Sequence, residues 1–138
     1  MTLELHATPG EVMRAVEALQ EFGREKQLAE KEMFGLALAL EECGSNIVDH
    51  AYLRDPRQKF QVIIQHTGGA MTIELRDRGP EFDPTLARVP EQNDRTAGGW
   101  GMPLVRHYMD EVRYRRDADE NVLQLTKRLF QGDQLTIT

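Results

Sequence analysis

The 138-residue chain is short of several things, and each shortage excludes something. It has one cysteine, Cys43, so no internal disulfide can staple the fold, which fits a reducing compartment. No basic residue stands beside that thiol to lower its pKa, so buried packing is its expected role. No apolar run approaches the roughly 20 residues that a membrane span needs. The first residues also lack the charged and apolar pattern of a signal segment. The expectation is a cytoplasmic protein with no membrane partner. No segment concentrates Lys and Arg, and the one basic cluster, Arg113, Arg115 and Arg116, is answered at once by Asp117, Asp119 and Glu120. With a net charge of -6 and a pI near 5.2, direct nucleic-acid binding through phosphate contacts is not expected. Internal repeats and low-complexity segments are missing as well. What remains, 40% hydrophobic and 29% charged residues, is the ordinary composition of one globular domain large enough to close a core.

The stretch that organises the rest is Met33 to Tyr52, MFGLALALEECGSNIVDHAY. At 100° per residue, Met33, Leu36, Leu40, Gly44, Ile47 and Ala51 fall on one helical face that can cover a core. A second flank carries Gly35, Ala39, Glu42, Asn46 and His50, each one turn from the next. Two small residues followed by a carboxylate, an amide and an imidazole suit a flank that faces a cavity. Gly44 and Asn46 are poor helix formers, so something other than propensity selected them.

Around this helix the pattern is regular. Leu3 and Leu5 alternate in a short first strand, Thr2 to His6. Thr8, Pro9 and Glu11 then open a helix with a capping threonine, a proline in the first turn and a glutamate three residues after the cap. Val12, Val16, Leu19 and Phe22 form its apolar side, and Gly23 is the expected stop. Phe60, Val62 and Ile64 alternate, Gly68-Gly69 turns the chain, and Met71, Ile73 and Leu75 alternate back, a hairpin. Asp77 continues that core-facing row, so a carboxylate stands where a hydrogen-bond donor must be waiting. From Pro80 to Gly98 periodicity lapses, as in a functional loop. Gly98-Gly99-Trp100-Gly101 leads into a helix expected over Met102 to Val112, with Leu104, Val105, Tyr108, Met109 and Val112 toward the core. Glycines feeding a helix start favour an anion. Strands over Glu111 to Arg116 and Val122 to Leu129, joined by a turn at Asp117 to Asn121, complete the chain.

Three motifs now stand in order. Glu42-x-x-x-Asn46-x-x-x-His50-Ala51-Tyr52 resembles the asparagine box of the histidine-kinase-like (GHKL) ATPases, the fold of DNA gyrase B, the Hsp90 chaperones, sensor histidine kinases and MutL. Asp77-x-Gly79 with Phe82-Asp83 resembles the first glycine box, and Gly98-Gly99-Trp100-Gly101-Met102-x-Leu104-Val105-Arg106 the second. The likeness covers about Pro9 to Leu129 and extends in particular to the small stand-alone branch, the anti-sigma-factor serine/threonine kinases of partner-switching systems (RsbW/SpoIIAB-like). It implies a Bergerat-type α/β two-layer sandwich: a mixed, mostly antiparallel sheet with about three helices on one face, forming a single domain over residues 1–138 with a lid at about 84–98.

The resemblance also implies ligands and roles. ATP or ADP and magnesium would be bound. Asn46 would be the magnesium ligand and Glu42 the base that takes the proton from the attacking hydroxyl. Asp77 would accept the adenine amino group, and Gly79 would let the backbone approach the base. Gly99, Gly101 and the N–H of Met102 would hold phosphates, with His50 near the phosphate end. Thr126, on the last strand, is the candidate for a water-mediated adenine contact, although its parity is opposite to Leu123 and Leu125. The implied partners are a small STAS-like anti-sigma-factor antagonist, a sigma factor and a second copy in a homodimer. The pattern is departed from at Glu81, where the family has a further glycine, and at Ala97, where the kinases often carry a cation; the nearest cation is Arg95. Those departures motivate an alternative, a nucleotide-binding regulatory module without catalysis.

Overall fold

A computed structural model describes residues 1–86 and 101–130. Five strands form one sheet in the order β1-β2-β3-β5-β4: β1 (Thr2–His6), β2 (Lys59–Thr67), β3 (Ala70–Asp77), β4 (Glu111–Asp117) and β5 (Glu120–Arg128). Every pairing among the described residues is antiparallel, so the parallel component expected of a mixed sheet is not found there. Helices α1 (Pro9–Glu25), α2 (Glu30–Asn46) and α3 (Gly101–Tyr108) contribute Leu19, Leu36, Leu40 and Val105 to one core with Val62, Ile64, Ile73, Leu75 and Leu125 of the sheet. This is the two-layer sandwich the motifs imply. Truncating any one of these fully buried leucines to alanine would cost about 2–5 kcal/mol. The opposite face of the sheet is polar, with Arg76 bridging Glu74 at 2.8 Å and Glu120 at 3.3 Å.

Local signals acted as expected at the first helix, where Glu11 N–H donates to the Thr8 hydroxyl at 3.2 Å and Pro9 begins the helix. Gly23 does not end it. The helix continues to Glu25, and Gly23 is buried because a side chain there would collide with Met33. Its smallness serves packing against the next helix.

The central segment is also not one uniform helix. The α-helix begins three residues early, at Glu30, and stops at Asn46; Ile47–Ala51 then widens into a π turn in which Tyr52 N–H donates to Ile47 O at 3.0 Å. Wide turns of this kind are often found at functional sites. Leu53 and Arg54 follow at φ 51° and 61°. That left-handed region is costly for both residues.

The third helix ends at Tyr108, and Val112 lies in β4. Leu104 is 42% exposed and does not join the core. The last hairpin turns more tightly than expected, through Ala118 and Asp119 between β4 and β5, with Ala118 at φ 54°. Asn121 therefore belongs to the strand and not to the turn. Among the described residues, no helix is long and apolar enough to cross a membrane.

Candidate functional site

A cavity of about 520 Å³ opens between the end of α2, the π turn and the β3–β5 end of the sheet. Asn46 and His50 line it from the helical side, Asp77 from the end of β3 and Met102 from the second residue of α3. The sequence thus brought an amide, an imidazole and a carboxylate to one space from elements that are distant along the chain.

Asp77 is 7% exposed, and its Oδ1 accepts two hydrogen bonds, from Gly79 N–H at 2.8 Å and from Asn121 Nδ2 at 3.0 Å. These are the donors that its position at the end of a buried row demanded. Its Oδ2 has no hydrogen-bond partner among the described residues, and the carboxylate lines the cavity. Gly79 is required for contact. A Cβ there would sit 2.8 Å from the Ala51 Cβ, so the loop after β3 can lie against the π turn only with a bare Cα. Tyr52 fastens the same junction, its hydroxyl donating to Lys59 O at 2.9 Å and accepting from Arg78 N–H at 2.7 Å.

Glu42 does not line the cavity; it lies beside it, where α2 meets the start of α3. Glu42, one turn before Asn46, is half-buried, and its Oε2 would be 2.5 Å from a Cβ on Gly101. The carboxylate therefore lies against the first residue of α3, where N–H groups without helical partners collect. Burial, and then the charge of Glu41, pushes the Glu42 carboxyl above its ordinary range. Burial and Glu42 likewise push the Cys43 thiol up to about 12, so this cysteine, 2% exposed, is an inert packing group as its surroundings predicted.

Of the remaining expected residues, Gly99 and the second glycine box before Gly101 lie outside the described residues, as do Arg95, Ala97 and the lid from 87 to 98. Thr126 does not line the cavity. It pairs with Thr72 and Glu111 on the face opposite Leu123 and Leu125, as its parity dictates. The strand's contribution to the cavity is Asn121 and Leu123, joined by Tyr114 of β4. Neither Asn121 nor Tyr114 was anticipated. Asn121 could have been found by extending the Leu125–Leu123 row two residues back, the step that singled out Asp77, since the two are register partners. Phe82 and Glu81 stand at the cavity wall, Phe82 with 59% of its surface exposed.

The cavity is mostly apolar, with the Asp77 carboxylate and the Asn121 amide on the sheet side and Asn46, His50 and Met102 on the helical side, whereas Glu42 and Gly101 are not among its lining residues. It suits an aromatic base continued by an anionic tail. Comparisons with known proteins agree in fold and family. A profile described as Histidine kinase-like ATPase domain matches residues 5–127. The serine/threonine-protein kinase BtrW of Bordetella bronchiseptica is 30% identical over 129 residues, covering 91% of both chains. Among solved structures, the RsbU and RsbW domains of a Mycobacterium tuberculosis protein superpose with a TM-score of 0.70 at 21% identity, over 96% of this chain and 33% of that one. This chain therefore spans about a third of that longer protein. The SiaB–SiaC complex of Pseudomonas aeruginosa gives a TM-score of 0.73 at 13% identity, over 91% of this chain and 88% of that one.

Proposed function

This chain belongs to the histidine kinase-like ATPase family, and on that premise we propose that it binds ATP with magnesium and phosphorylates a small antagonist protein, serving also as an anti-sigma factor. The observation that carries the reading is the meeting of Asn46 and Asp77 in one cavity. Had they faced opposite sides of the sheet, no single nucleotide could engage both. The apolar walls suit a purine, and the Asp77 oxygen turned to the cavity is an acceptor without a lone donor to share, the complement of an exocyclic amino group.

At the phosphate end, Glu42 is the base. Its raised pKa brings it closer to the working pH, which favours proton acceptance. As the acceptor hydroxyl attacks the terminal phosphorus, Glu42 receives the hydroxyl proton, the new oxygen–phosphorus bond forms, and the bond to the departing ADP breaks. Gly101 lets the carboxylate lie next to the helix start, and the N–H of Met102 would donate to a phosphate there. Magnesium neutralises phosphate charge when bound. Asn46 would be its ligand on this chain.

The resemblance implies a STAS-like antagonist as the phosphate acceptor; SiaB, similar in fold, was solved in complex with SiaC. Sigma-factor sequestration and a homodimer belong to the same reading. Incubation with γ-labelled ATP, magnesium and the antagonist tests it: label should appear on an antagonist serine or threonine. Tight nucleotide binding with no label on any antagonist would instead favour the regulatory module without catalysis, the reading to which Glu81 at the cavity wall lends support.

A further inference from the structure

We infer that Asn121 is the positioning residue of the base-reading end, one amide that fixes both the Asp77 carboxylate and the loop carrying Phe82. The inference rests on the nucleotide reading above and adds how the site selects its base.

Asn121 is 6% exposed, and both ends of its amide are committed. Nδ2 donates to Asp77 Oδ1 at 3.0 Å, to Pro80 O at 2.9 Å and to Gly79 O at 3.4 Å. Oδ1 accepts from the Tyr114 hydroxyl at 2.6 Å, from Arg116 Nη1 at 3.1 Å and from Phe82 N–H at 3.3 Å. The Nδ2 side meets only acceptors. Of the groups around Oδ1, the guanidinium and the backbone amide can only donate. The amide orientation is therefore fixed by its surroundings, and a reversed amide would face like against like at every contact except the Tyr114 hydroxyl.

Two consequences follow for a bound base. With Gly79 N–H and Asn121 both on Oδ1, the carboxylate cannot rotate without losing two buried hydrogen bonds, so Oδ2 is held toward the cavity. The loop after β3, which has Glu81 in place of a flexible glycine, is tied at Gly79, Pro80 and Phe82 by the same side chain, so the exposed Phe82 ring is held at the cavity wall, where an aromatic face can stack on a purine. Arg116 reinforces the tie by donating to Gly79 O at 2.9 Å. Asn121 thus acts through Asp77 and Phe82 and need not touch the ligand.

The test compares dissociation constants of ATP and inosine triphosphate, which lacks the exocyclic amino group, for the unaltered protein, Asn121→Ala and Tyr114→Phe, each with a thermal unfolding curve. The unaltered protein should prefer ATP by about tenfold or more, the worth of one hydrogen bond to a charged group. Asn121→Ala should weaken ATP binding by about tenfold while changing inosine triphosphate binding far less, so that the preference collapses toward one. Tyr114→Phe removes a single hydroxyl from the amide's oxygen side and should lower the preference by a smaller factor. It keeps the question answerable if Asn121→Ala does not fold. Equal weakening of both nucleotides, or an unchanged preference in either folded variant, overturns the inference while leaving the nucleotide reading intact. An unaltered protein that binds neither nucleotide overturns both.

Discussion

The closed end of the cavity and the Glu42 end beside it solve opposite problems. At the closed end the atoms that hold the loop are paired: Asp77 Oδ1, both ends of the Asn121 amide, the Tyr52 hydroxyl and the Arg116 guanidinium all have partners within 3.4 Å. Asp77 Oδ2 is left without one among the described residues. At the other end Glu42 has no cationic partner among the described residues, and its pKa is raised. A network satisfied in advance reads a ligand with little rearrangement. An ionisable group that burial makes uncomfortable is suited to receive a proton. On the proposed reading, the paired network is rigid so that it can recognise, and Glu42 is electrostatically unfinished so that it can react.

The sharpest way to break this contrast is Glu42→Gln. The amide keeps the shape and removes the base, so phosphotransfer to the antagonist should fall about 10²–10⁴-fold. ATP affinity should hold or improve, since a negative charge beside the phosphates has gone. Measuring both on one preparation separates the ends. A proportional loss of binding would mean that Glu42 serves recognition after all.

Next in size is Gly79→Ala at the closed end. The added Cβ would meet the Ala51 Cβ at 2.8 Å and Asp77 Oδ1 at 3.0 Å, and neither neighbour is the loose end of a flexible side chain. Overpacking of this kind costs about 1–3 kcal/mol, which a melting curve would show as a loss of roughly 4 °C per kcal/mol. An unchanged Tm would mean that the loop yields easily and that the rigidity ascribed to this end is absent. Tyr52→Phe should act in the same direction with about 1 kcal/mol, since it strands Arg78 N–H, and it should leave the Glu42 end untouched.

The contrast also governs how far the chain could be read before its structure. Alternation placed Ile73, Leu75 and Asp77 on one row, and the structure keeps them there. Helical spacing placed Asn46 one turn after Glu42, which also holds. Both are local regularities, and local regularity is what a sequence displays. The closed end depended on a register, Asp77 opposite Asn121, which no single strand reveals. The turn before β5 is tighter than the polar run Asp117 to Asn121 suggested, and that misplaced the start of the strand and hid Asn121. The π turn was illegible for a related reason: nothing in the residues Ile47 to Ala51 marks a wide turn, and the close approach of Ala51 to Gly79 joins segments distant along the chain. Thr126 was named from the resemblance, and its parity, already visible in the sequence, agrees with its absence from the cavity lining.

The smallest expected effect is also the most diagnostic of the unfinished end. A carboxyl whose folded-state pKa lies above its ordinary value of 4.5 binds its proton more tightly folded than unfolded. By linkage, stability is then greater below that range and declines as pH rises through the raised pKa. At neutral pH the ionised Glu42 is thus a burden on the native state, modest because the group is only partly buried. Gln carries no such burden. Melting temperatures of the two proteins compared from pH 7.5 down to pH 4.5 should therefore show Glu42→Gln the more stable at the upper end, with the gap closing as the wild-type carboxyl takes up its proton; other titrating groups are common to both and cancel. A gap that stays constant across that range would place Glu42 in an unperturbed setting and remove the electrostatic difference between the two ends.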